Sequence, residues 1–129
     1  PVDRLAEFLD FFHTKIGISP VWVCPLRSRD GTTKWPLYEM DTTVTYVNVG
    51  FWSTVDLPKG GNPADGVLNR LIEDEVTALD GHKSLYSSAF YDRAEFDHLY
   101  GGEHYAGVKS KYDPDNRLTG LYAKVVQRR

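Results

Sequence analysis

Trp22, Cys24, Tyr46 and Asn48 alternate along two short apolar runs, and Tyr86 sits in a third. Successive side chains of a strand point to opposite faces. Val21, Val23, Val47, Val49 and Phe51 therefore form one aliphatic face. Trp22, Cys24, Tyr46, Asn48, Gly50 and Trp52 form the other, with Tyr86 and Ser88 joining it from the third run. This second face is aromatic and polar-tipped. Ligand walls have that makeup, apolar area with a few placed polar groups, and a glycine within it permits close approach. Trp22, Cys24, Tyr46 and Asn48 are thus read as pocket lining. The Tyr86 phenol is read as the catalytic residue, a general acid able to give up its proton. The same face also suits a hydrophobic layer against another domain or subunit, and a cap over a binding site would serve both purposes.

Other chemistries lack their residues. Gly60-Gly61 and Gly101-Gly102 do not have the spacing of a phosphate loop and read as turns. His13, His82, His98 and His104 are scattered, and the single Cys24 has no partner, so no metal site is expected. No serine sits in a nucleophile elbow. Glu73-Asp74-Glu75 occupies consecutive helical positions and reads as a solvated face. Lys109 and Lys111 lie at the end of a short helix, where the dipole favours cations.

The elements that must position these residues follow from periodicity. Leu5, Phe8, Leu9 and Phe12 make one helix face, with Lys15 in the last turn and Gly17 as the stop. Pro20 opens an extended run to Leu26, and Thr43 to Trp52 is the strongest strand signal. Asn62-Pro63 reads as an N-cap with proline at the first helical position, and Gly81 ends that helix. Ser84 to Phe90 is expected to be a third strand. Asp92 with Glu95 resembles a capping box, Gly101-Gly102 breaks the helix it opens, and two further helices follow around Asp113-Pro114. The order is α-β-β-α-β and then helices. One strand before Pro1 would complete a ferredoxin-like β-α-β-β-α-β unit. The expected class is α+β, with an antiparallel sheet, helices on one face and a helical tail. Residues 1–129 are expected to form one domain.

With 129 residues, 41% of them hydrophobic, the chain can bury a sizeable core. A net charge of −3 without a basic block gives no footprint for nucleic acid. No apolar run approaches the ~20 residues of a membrane span. One cysteine excludes an internal disulfide and fits a reducing, cytoplasmic compartment. The chain begins Pro-Val-Asp just where a helix starts, which reads as a cut or processed end.

Several motifs stand in an informative order: Ile18-Ser-Pro-Val-Trp-Val-Cys-Pro-Leu26, then Tyr46-Val-Asn-Val-Gly50, Leu85-Tyr86, and Arg93-Ala-Glu-Phe96. Lys111-Tyr-Asp-Pro114 follows before the last helix. This succession resembles FAD-linked oxidoreductases of the vanillyl-alcohol-oxidase type, and within them the Diminuto/24-dehydrocholesterol (delta-24-sterol) reductase group. The resemblance implies a C-terminal cap, or substrate, domain. FAD would be bound mainly by an N-terminal domain of the same polypeptide, and hydride would be exchanged at flavin N5 beneath the cap. It further implies an apolar, sterol-like substrate, admits NADPH as electron donor, and leaves room for membrane association of the full-length protein. Sugar and alditol oxidases of the superfamily carry His-Trp-Gly-Lys near the flavin. The similar position here reads Leu85-Tyr-Ser-Ser88, without the lysine, which favours the reductase over a sugar or lactone oxidase cap. A ferredoxin-like ligand-binding or dimerisation module is the non-enzymatic alternative, and a homodimer of the isolated chain is expected from its aromatic face.

Overall fold

A computed structural model describes residues 1–56, 59–62 and 66–129. The chain is α+β, with a two-stranded antiparallel sheet and five α-helices among these residues. It divides into two compact units. The first comprises Pro1–Thr32 and Asp41–Gly81, the second Thr33–Met40 and His82–Arg129.

In the first unit a 3-10 turn, Val2–Arg4, leads into α1, Leu5–Lys15. Gly17 stops this helix at φ +73°, and its N–H donates to the Phe12 carbonyl at 2.9 Å. Left-handed backbone at a helix end favours glycine. Strands β1, Trp22–Leu26, and β2, Tyr46–Gly50, pair in a register that sets Trp22 opposite Gly50, Cys24 opposite Asn48 and Leu26 opposite Tyr46. The Val2 N–H donates to the Thr45 carbonyl at 2.8 Å, just before β2. Helix α2, Val67–Ala78, completes the unit. Phe8, Phe12, Ile72 and Leu79 are its buried core, and Val21, Val49 and Phe51 from the aliphatic sheet face pack against them. Phe12 meets Phe51 with ring centroids 4.5 Å apart.

The start expected for α2 rests on Pro63, which lies outside the described residues. Its end is a Schellman-type turn in which Asp80, at φ 55°, takes the left-handed place, and Gly81 N–H donates to Val76 O at 2.8 Å. Gly81 follows because a Cβ there would stand 2.9 Å from that oxygen. The acidic triplet is not the solvated face its spacing suggests. Glu73 is fully buried beside Ile72, 3.7 Å from Arg70, while Asp74 stays at the surface and pairs with the same arginine at 2.7 Å. Consecutive helical positions point in different directions, and the one that points inward has an arginine at i−3.

The second unit holds α3 (Arg93–Leu99), α4 (Gly102–Tyr112) and α5 (Leu121–Val125). Asp92 caps α3 by accepting the Glu95 N–H at 2.8 Å. Ala89, Tyr91, Phe96 and Tyr100 are the buried core, with the Phe96 and Tyr100 rings 4.8 Å apart. Asp113 organises the turn after α4, accepting the Arg117 and Leu118 N–H groups at 2.8 and 2.9 Å and pairing with Lys109.

Residues 84–90 do not form the expected third strand. Leu85-Tyr86-Ser87 is a turn. Its polar groups are spent locally and within the unit. Ser84 Oγ accepts the Tyr86 N–H at 3.4 Å, Lys83 Nζ donates to Ser88 O at 2.7 Å, and Ala89 N–H donates to Val125 O at 2.9 Å. Serine hydroxyls compete with a strand ladder in this way.

Gly101 takes φ +61° between α3 and α4, where a Cβ would fall 2.0 Å from Pro36 O. Gly60 has φ +86° with nothing within 4 Å of the same position. Gly60→Ala should cost about 1 kcal/mol, the backbone strain alone. Gly101→Ala adds a clash with backbone and should cost clearly more. Urea midpoints of the two variants check this difference.

Candidate functional site

Four of the five expected site residues share one face of one sheet. The register puts Trp22, Cys24 and Leu26 beside Gly50, Asn48 and Tyr46. Trp52, just past the end of β2, stands on the same side, with its Cη2 3.7 Å from the Cβ position of Gly50. The face is open. Trp22 is 54% exposed, Trp52 76% and Leu26 39%, Asn48 is exposed, and Cys24 and Tyr46 are half-buried. Large apolar side chains grouped and exposed in this way mark a surface that contacts something. Leu26 was not singled out from sequence, although its spacing of two from Cys24 places it here.

The polar groups on this face are few. Tyr46 Oη accepts the Asp41 N–H at 3.1 Å, which fixes the ring against the loop before β2. The Asp41 carboxylate takes the Thr43 hydroxyl at 2.7 Å and its N–H at 2.8 Å. These bonds hold Asp41 below the usual carboxylate range. Cys24 is a free thiol. The close approach that Gly50 permits is made by the protein itself, because the Trp22 indole lies across the glycine.

Tyr86 belongs to the second unit. It stands in the turn that replaces the third strand and is 90% exposed. The second unit also holds a shallow open groove of about 300 Å³ between α3, α4 and α5. Arg93 lies 5.1 Å above the Tyr122 ring there, and its Nε donates to Asp97 at 2.6 Å. Tyr105 Oη accepts the Leu121 N–H at 2.8 Å. The i,i+4 spacing of Arg93 and Asp97 was the sequence signal for this pair.

His82 is held among aromatic rings of the second unit. Its ring stands 4.6 Å from Tyr38 and 5.0 Å from Tyr100, both edge-on. Nε2 lies 2.7 Å from Leu99 O, so this nitrogen carries the proton. Burial lowers the His82 pKa against the opposing effects of that hydrogen bond and of Glu39. Burial likewise raises the Tyr38 phenol, which donates to His82 O at 3.0 Å.

Among the described residues no cluster of His, Cys, Asp or Glu could hold a metal ion, and no helix is long and apolar enough to cross a membrane. The glycine turn at 101–102 does not fit the diphosphate of FAD. A cradle needs glycines that leave room for phosphate oxygens. At Gly101 that room is filled by Pro36, and at Gly102 by Asp97, 2.6 Å from the Cβ position.

Fold and face together define an α+β unit that presents a half-exposed aromatic sheet surface. No protein-family model and no solved structure matches the chain. Curated relatives do match. The chain is 28% identical over 127 residues to the Delta(24)-sterol reductase homolog dhcr-24 of Caenorhabditis elegans. It is 24% identical over the same length to the Delta(24)-sterol reductases of Rattus norvegicus and Homo sapiens. Each match covers 97% of this chain and 23% of the relative, so the chain spans about a quarter of their length. The resemblance read from the ordered motifs therefore holds across nearly the whole chain, and its homologues carry the name of sterol reductases.

The buried histidine sets a pH dependence. A lowered folded pKa means that the unfolded chain binds the proton first, so stability is complete above the ordinary value of 6.5 and falls as the pH drops below it. Asp113 is lowered chiefly by its hydrogen bond from Lys109, so its contribution is lost only as the pH falls below the ordinary 3.8. Denaturation midpoints across pH should show the upper step shrinking in His82→Gln and part of the lower step shrinking in Asp113→Asn.

Proposed function

We propose that this chain is the cap domain of an FAD-dependent oxidoreductase that reduces a carbon–carbon double bond in an apolar, sterol-like substrate. Similarity over 97% of the chain to proteins named Delta(24)-sterol reductase carries the reading. Two further observations support it. The open aromatic face supplies apolar wall with few polar groups, the makeup of a small-molecule site. The glycine turns at 101–102 are filled by neighbouring atoms, which is consistent with a flavin held by the remainder of a longer polypeptide.

In this reading Trp22, Tyr46, Asn48 and Cys24 line the substrate pocket. The indole of Trp22 offers a broad surface to apolar rings. Tyr46 is held in place by the Asp41 N–H, and the exposed Asn48 amide supplies the polar tip. FAD supplies the redox chemistry when bound. The chain's own residues orient the substrate. Tyr86 Oη of the second unit is proposed as a proton donor, and its 90% exposure leaves that hydroxyl accessible.

Two experiments bear on this. The purified chain should be colourless and should leave the absorption spectrum of added FAD unchanged; a yellow preparation with stoichiometric flavin overturns the cap assignment. In the full-length oxidoreductase, Tyr86→Phe should slow substrate reduction about 10²-fold, the worth of a general acid, with FAD content unaltered. Wild-type single-turnover rates in that variant would reduce Tyr86 to a wall residue.

A further inference from the structure

Gly50 lies in β2 directly opposite Trp22. A Cβ built on it would meet Trp22 Cε3 at 3.0 Å, Trp22 Cβ at 3.7 Å and Trp52 Cη2 at 3.7 Å. Both indoles therefore converge on the space that the missing side chain leaves. Only Trp22 presses into it, at a distance tighter than ordinary van der Waals contact. The neighbour is a side chain rather than backbone, and it is 54% exposed, so any group added at Gly50 can push it outward. Gly50 is not in the left-handed region, so its backbone does not by itself require glycine. Glycine inside a strand weakens the strand and often marks a place where another group must come close.

We infer that Gly50 is a positioning residue that seats the Trp22 indole across the sheet, making a ring platform with Trp52. The inference rests on the reading of this face as a substrate wall and adds what sets its shape. With Trp22 Cε3 at 3.0 Å and Trp52 Cη2 at 3.7 Å from the Cβ position of Gly50, the two indoles border one patch of the face. The ligand class this suits is one that presents a broad, flat apolar ring surface. A side chain at position 50 lifts the indole and breaks the platform, leaving the fold in place.

The test uses the full chain carrying fluorotryptophan, whose three tryptophans are separated by fluorine NMR. In Gly50→Ala and then Gly50→Val the Trp22 resonance should move progressively, while that of Trp35 stays. An unmoved Trp22 signal in both variants overturns the inference. Should either variant fold poorly, Trp22→Leu provides the check. Without the indole, Gly50→Ala should cost no stability, and a cost that persists overturns the inference equally. Anilinonaphthalene sulfonate serves as the ring probe. Its affinity should fall about five- to tenfold in Gly50→Val, the worth of one lost ring contact. If Trp22 moves and probe affinity does not, the substrate-wall reading fails while the positioning of Trp22 stands.

Discussion

Two strands alone do not make a stable sheet in water; a hydrophobic face must be covered before the pair persists. In the first unit that cover comes from α1 and α2, and the contact that anchors it is Phe12 on Phe51. Phe12 is 2% exposed and sits at the centre of the Phe8, Ile72 and Leu79 cluster. Everything on the opposite face depends on this burial. Because side chains alternate, fixing Val49 and Phe51 inward fixes Asn48, Gly50 and Trp52 outward. A slip of one residue would bury the tryptophans and expose the valines. The aromatic face thus inherits its geometry from a core it does not touch.

The register adds a second constraint. Trp22 is the largest side chain on β1, and it faces the one residue of β2 that has none. A strand pair bearing two large groups at those positions would hold them upright and apart. Here one lies down across the other's backbone. The face therefore gains area without gaining height, which suits a surface that must accept another molecule closely.

Much of this was legible in the sequence. The i, i+3, i+4, i+7 spacing of Leu5, Phe8, Leu9 and Phe12 found α1 and its buried face, and Gly17 found its end. Alternation separated the two sheet faces, although Val23 on the aliphatic side stays 41% exposed and only Val21, Val49 and Phe51 of that set pack on the core, and Asp92 with Glu95 found the start of α3. What failed did so for identifiable reasons. Leu85-Tyr-Ser-Ser88 has strand-like hydrophobicity, but the side chains of Lys83 and Ser84 just before it bond its backbone locally, and periodicity does not register such bonds. Glu73 looked like surface because a triplet of acids usually is; it is buried, with Arg70 3.7 Å away. The indole over Gly50 was legible only as a glycine in a suggestive place. Which group comes close to a glycine is a matter of register, and register is a tertiary quantity.

The second unit is assembled from two stretches that are distant in the chain. Residues 33–40, taken from the connection between β1 and β2, supply the Pro36 carbonyl that fills the space above Gly101 and the Tyr38 ring and hydroxyl that hold His82. Part of what looks like a C-terminal helical domain's internal packing is thus supplied by a loop some 40 residues upstream. Residues 82–129 cannot be transplanted, excised or recombined as a cassette without leaving a hole at Gly101 and a stranded imidazole. The connection between the strands cannot be shortened freely either, however irregular it looks.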